Sequence, residues 1–267
     1  MPYADNAGVR IFYEVDGDGS GPPLLLHWGF VSSAEDWADI GYVAALRVRY
    51  QVVLLDARGQ GRSDKPHEPA AYARRCRVGD VLAVLDAVGI ERAHFWGYSL
   101  GGWVGFALGA AASDRLRSLV LGGAHPFDGN PRPTGGDVWL DGLQQGMPAL
   151  IREWEGAGLL PWMSPGQRER WLVADAEALA AARQQGLTEP DLPEEAIAAI
   201  ATPALLYAGT RDEPDAVERA ARLMPNAAFI ALVGLDHSQA IAHSDVMLPR
   251  VLGFLANAED ALTSAPS

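Results

Sequence analysis

Short apolar runs alternate along the chain with longer segments whose apolar residues recur at helical spacing. VRIFYEV (9–15) mixes β-branched and aromatic residues and stops at DGDGSGPP, a strong turn signal, so it reads as a strand. PYAD precedes it, and the intervening NAG suits a hairpin loop. PLLLHW (23–28), QVVLLDA (51–57), AHFWGYS (93–99), LRSLVLGGA (116–124), PALLYAG (203–209) and AAFIALVG (227–234) are apolar runs of the kind that strands buried on both faces need. Helical spacing falls between them, over 72–89, 99–113, 215–225 and 238–258. Pro249 is expected to perturb the last of these, and the tail EDALTSAPS to fray.

Strands that alternate with helices imply a mostly parallel, doubly wound α/β sheet, here of eight strands. One region breaks the alternation. Residues 127–200 hold no strand pattern but three helical stretches, 137–158, 164–186 and 193–201. The chain therefore reads as a core domain, 1–126 and 201–267, with a helical insertion at 127–200. The insertion carries Trp139, Trp154, Trp162 and Trp171.

Composition narrows the partners. The net charge is −13, which argues against nucleic acid and anionic membranes, since both call for a basic face. The first ten residues have neither a basic nor an apolar signal region, and no apolar run is long enough to span a bilayer, so a cytoplasmic location is expected. Cys76 is the one cysteine and reads as an ordinary helix residue.

The chemistry centres on GYSLGG (97–102). It places Ser99 between a predicted strand and a predicted helix, with glycines two residues away on either side. A serine on such a sharp turn projects its hydroxyl at the carboxyl edge of the sheet, over a helix N-terminus, where a nucleophile belongs. A serine hydroxyl needs a base, and the base needs an orienting acid. His237 follows the last strand directly, in VGLDHSQAI, at the same sheet edge. His94 lies within a strand, His67 in a charged loop and His243 in mid-helix. Asp212, in AGTRDEPD after strand 203–209, is the preferred acid; Asp128, after strand 116–124, is its competitor. Asp215 suits a helix cap instead.

Five motifs in order, LLLHWGF, DARGQGRSDKP, GYSLGG, GTRDEP and GLDHSQ, resemble those of the α/β-hydrolase fold family over nearly the whole chain. The resemblance implies a serine hydrolase acting on a carboxylic ester, lactone or thioester of a small, largely apolar substrate, with no metal or organic cofactor. Family members that use an aspartate at the elbow, haloalkane dehalogenases and epoxide hydrolases, are disfavoured by Ser99. Carbon–carbon hydrolases and cofactor-free perhydrolases remain open, as does a small-molecule receptor with little turnover.

The resemblance also implies that 127–200 is a cap over the active site, with Trp139, Trp154 and Trp162 lining a substrate cavity together with Tyr98. It makes DARGQGRSD a structural loop, which leaves Asp56, Arg58 and Asp64 outside the catalytic set. For the oxyanion hole it implies the N–H of Leu100 and a second donor after the third strand. There the family usually has His-Gly, and this chain has His27-Trp28. The second donor is Gly29 if Trp28 replaces a glycine and Phe30 if Trp28 is an insertion. Trp28 itself is expected to stand at the pocket.

Overall fold

A computed structural model describes residues 2–17, 19–127, 137–158, 160 and 163–264. β1 (Tyr3–Asn6) and β2 (Val9–Asp16) form the expected hairpin. Ala7 and Gly8 both have positive φ, 55° and 84°, as a tight two-residue loop requires. Next come β3 (Pro23–His27), β4 (Gln51–Leu55), β5 (Ala93–Tyr98), β6 (Leu116–Gly122), β7 (Ala204–Gly209) and β8 (Ala227–Leu232). The sheet order is β1-β2-β4-β3-β5-β6-β7-β8, parallel from β4 to β8 and antiparallel at β1 and β2.

The helices are α1 (Ala34–Asp39), α2 (Tyr42–Leu46), α3 (Arg74–Val88), α4 (Leu100–Ala111), α5 (Val138–Gln144), α6 (Met147–Gly156), α7 (Pro165–Leu172), α8 (Ala176–Gly186), α9 (Glu194–Ala198), α10 (Pro214–Leu223), α11 (His237–Ala242) and α12 (Ser244–Ser264). Alternate strand residues feed two cores. Leu25, Val53, Phe95, Leu119 and Leu206 face α3, α4 and α10. Leu24, Leu26, Val52, Trp96 and Tyr207 face α1, α2, α11 and α12.

Two expectations at the C-terminus are corrected. The helix over 238–258 is two helices, and the break falls at His243 (φ −80°, ψ 66°), not at Pro249, which α12 accommodates. The end of α12 is not frayed as far as Ser264, because Arg117 binds both oxygens of Glu259 at 2.8 and 2.9 Å. The short helices α1 and α2 were not anticipated, although Ser33 and Asp36 form a capping box at the start of α1.

Helices α5 to α9 fill the segment between β6 and β7. Leu143, Leu150, Ile151, Trp171 and Leu179 bury against one another, and Val31 of the sheet domain joins them. α9 differs: Ile197 packs into the core beneath α4. The DARGQGRSD loop is held from within. Asp56 is fully buried and accepts from the N–H groups of Ala34 and Arg62, both at 2.7 Å. Arg58 makes a two-pronged ion pair with Asp80.

Candidate active site

Ser99 sits between β5 and α4 with φ 54° and ψ −115°, a conformation that a serine adopts only where its surroundings impose it. They do so through backbone contacts. The Ser99 N–H donates to Gly122 (2.8 Å), and the Ser99 carbonyl accepts from Trp103 (2.9 Å). The two flanking glycines are dictated by contact. A Cβ on Gly97 would lie 2.2 Å from the Gly101 carbonyl oxygen, and one on Gly101 would lie 2.0 Å from that of His27. The spacing G-x-S-x-G is thus the footprint of three backbones in contact.

The loops after β7 and β8 are stitched together. Thr210 N–H donates to Leu232 (3.0 Å), Arg211 N–H to Leu235 (3.0 Å), and Gly234 N–H to the Thr210 hydroxyl (2.8 Å). Asp212 and His237 stand on these loops, and His237 Nδ1–H donates to Asp212 Oδ2 at 2.8 Å. With Nδ1 carrying the proton, Nε2 keeps its lone pair. The Asp212 side chain is 15% exposed and that of His237 45%. Asp128 lies outside the described residues.

The turn after β3 approaches the serine from the other side. A Cβ on Gly29 would come within 3.1 Å of Ser99 Cβ, a tight contact that a larger residue could make only if Ser99 or the turn gave way slightly. His27 is buried and donates its Nδ1–H to the Trp28 carbonyl (2.8 Å), which fixes that peptide plane. Burial pulls the His27 pKa down to about 4, so the ring is neutral.

Two cavities meet at Ser99. The larger, about 310 Å³, is lined by Phe30, Ser99, Leu100, Trp103 and Trp139. Its wall also carries the ionisable side chains of Arg74, Arg77, His125, Glu189 and Glu213. The smaller, about 100 Å³, lies between Trp28, Gly29, Tyr98, Ser99, Gln167 and His237.

The expected residues fall into three groups. Trp28, Gly29, Phe30, Tyr98, Leu100, Trp139 and His237 share one or other cavity with Ser99. Trp154 stands behind Trp139, ring centroids 4.4 Å apart, and lines neither. Trp162 lies outside the described residues. The Tyr98 hydroxyl is taken up by the His237 carbonyl. The arginines and His125 on the cavity wall were missed, although RRCR at the start of a predicted helix was a signal: cations oppose the helix dipole there.

The α/β-hydrolase fold family matches over residues 22–165. Among curated relatives, the "Putative carbamate hydrolase RutD" of Azorhizobium caulinodans is 39% identical over 121 residues, 45% of this chain and 43% of that protein, so this match spans less than half of the relative. The non-heme chloroperoxidase of Streptomyces lividans is 29% identical over 93% of this chain and 96% of its own. Among solved structures, the enol-lactonase of Burkholderia xenovorans LB400 superposes with a TM-score of 0.81 at 27% identity, covering 96% of this chain and all of that one. The family match, the eight-stranded sheet and the serine elbow agree, and the chain belongs to the α/β-hydrolase fold family.

Proposed function

We propose that this enzyme is a serine hydrolase that cleaves an ester or lactone through an acyl-enzyme, with Ser99, His237 and Asp212 as its triad. The observation that carries the reading is the strained Ser99 backbone, which holds the hydroxyl at the cavity that the Asp212-bound His237 also lines. His237 Nε2 takes the Ser99 proton as Oγ attacks the acyl carbon, then returns it to the leaving oxygen. Water, activated by the same nitrogen, releases the acid. Asp212 holds the imidazole in this tautomer and stabilises the imidazolium.

The N–H of Leu100, the first residue of α4, has no intrahelical partner and serves as one oxyanion donor. Phe30 lines the same cavity as Leu100 and Ser99 and supplies the second, while Gly29 provides the clearance beside Ser99. Helices α5 to α8 act as a cap, placing Trp139 over the acyl group.

A fluorophosphonate should label Ser99, and Ser99→Ala should abolish labelling and lower kcat on 4-nitrophenyl esters by about 10⁴-fold or more. Labelling that persists in Ser99→Ala overturns the reading. The chloroperoxidase relative favours a second activity, perhydrolysis, in which hydrogen peroxide replaces water at the acyl-enzyme and yields a peracid. Peracid formation from ester and peroxide, absent in Ser99→Ala, tests it.

A further inference from the structure

Arg77 is buried, 4% exposed, and lines the same cavity as Ser99. Its Nε donates to the Tyr72 carbonyl (3.0 Å), and its guanidinium lies 5.3 Å from the Tyr72 ring centroid. Among the described residues it has no carboxylate in ion-pair contact. Asp80, one helical turn on, is committed to Arg58. A buried cation without a counter-charge is strongly unfavourable unless something else supplies one.

Arg74 lines the same cavity. Its guanidinium stacks on Trp103 at 4.6 Å and donates to the Pro190 carbonyl. Both arginines stand in the first turn of α3, which has no acidic residue there and no side-chain cap from Ala73. Cations there oppose the helix dipole and repel each other at a spacing of three. Burial draws the Arg77 pKa down to about 10, which leaves it charged at neutral pH.

Several carboxylates stand nearby, and Glu189, Asp191 and Glu213 line the same cavity, but none is in ion-pair contact with Arg77. Glu189 accepts from the Arg74 backbone N–H (2.9 Å) and from Gln185 (3.0 Å), and Glu213 from His125 (2.9 Å). Asp137 binds Arg183, and Asp191 is exposed. Asp80 and Glu189 favour the charged form of Arg77 from nearby, but no carboxylate among the described residues is in ion-pair contact with it, which leaves its guanidinium open to an anionic group in the cavity.

We propose that Arg77 and Arg74 form a carboxylate subsite in the cavity that Ser99 lines, and that the acyl part of the substrate ends in a carboxylate held there. The assignment to the acyl side rests on the hydrolase reading. Leu100 and Phe30, the oxyanion donors, line the large cavity, whereas His237, which must reach the leaving oxygen, lines the small one.

The test compares mono(4-nitrophenyl) adipate with the corresponding 4-nitrophenyl adipamate, in which a neutral amide replaces the carboxylate. The wild-type enzyme should prefer the acid in kcat/KM by about 10–100-fold, the range of a charge-assisted hydrogen bond. Arg77→Gln should bring the acid-to-amide ratio close to one, and Arg77→Lys should restore part of it. Because Arg77 is buried and its variants can lose fold, the wild-type ratio is itself decisive: equal turnover of acid and amide overturns the subsite. A preference that survives in a folded Arg77→Gln/Arg74→Gln variant overturns it too. Calorimetric titration of Ser99→Ala with adipate and with hexanoate separates this proposal from the hydrolase reading. No turnover of either ester, together with tight Arg77-dependent adipate binding, sinks the hydrolase and keeps the subsite. Turnover with no preference for adipate does the reverse.

Discussion

Tyr98 donates its hydroxyl hydrogen bond to the backbone carbonyl of His237. The residue before the proposed nucleophile thus holds the backbone of the proposed base, across the gap between β5 and the loop after β8. Tyr98 is 2% exposed, its ring centroid lies 5.3 Å from that of His237, and burial raises its pKa well above the ordinary tyrosine value. Burial thus favours the protonated hydroxyl, the form that donates this bond. Tyr98→Phe removes the bond but keeps the ring. We expect kcat to fall about tenfold, corresponding to roughly 1–2 kcal/mol, with a smaller change in KM. Steady-state kinetics on a 4-nitrophenyl ester reads this, and an unchanged kcat would show that His237 needs no such anchor.

The elbow was legible because its glycines are demanded by backbone contact, which leaves a mark at fixed spacing. Asp212 and His237 were legible because strand ends are easy to locate and share one sheet edge. The helices α1 and α2 left no apolar stripe because six and five residues are too few to establish one. The break at His243 was hidden because Pro249 offered the more obvious place for one. The charged wall of the cavity was hidden for another reason: it forms where α3 meets the loop after α8, and only tertiary packing brings Arg77 and Ser99 to one space. A cavity lined chiefly by cap tryptophans was the natural expectation from sequence, and of the described ones only Trp139 lines it.

Trp139 and Trp154 should separate in function. Trp139 lines the large cavity and packs edge-on against Phe30 at 5.2 Å, whereas Trp154 touches the cavity only through Trp139. Trp139→Ala should shift the ratio of kcat/KM between short and long acyl chains by about 10–200-fold. Trp154→Ala should lower the melting temperature with a smaller shift in that ratio. Equal shifts from both would mean that the pair acts as one packing unit.

Burial of His27 makes stability depend on pH. Its pKa is about 4 in the folded protein, lowered chiefly by burial, against about 6.5 when unfolded. Between these values the unfolded state binds more protons, so stability rises with pH. The contribution is full above about pH 6.5 and is lost as the pH falls towards 4, by about 3 kcal/mol. His27→Asn removes the titration and offers an amide N–H to the Trp28 carbonyl. Urea midpoints measured from pH 7 to pH 4.5 should fall less steeply in this variant. Parallel curves would place the acid-sensitive group elsewhere.

Trp28 bears on the leaving-group side. Its ring packs edge-on against Trp37 at 4.6 Å and forms one wall of the 100 Å³ cavity that His237 also lines. In the proposed mechanism His237 hands its proton to the leaving oxygen, so the alcohol part of an ester would enter this cavity, where the indole sets how much of it fits. Trp28→Gly removes that wall. The backbone of the turn has its own support, because the bond from His27 Nδ1 ends on the Trp28 carbonyl, which any residue supplies. The variant should lose about 3 kcal/mol of stability from the missing indole and the added chain freedom. It should still turn over a methyl ester, and its kcat/KM for a benzyl or tert-butyl ester should rise relative to methyl by about tenfold or more. If the folded variant is inactive on all three, the indole itself positions the oxyanion turn. If all three keep their wild-type ratios, the alcohol leaves by another path.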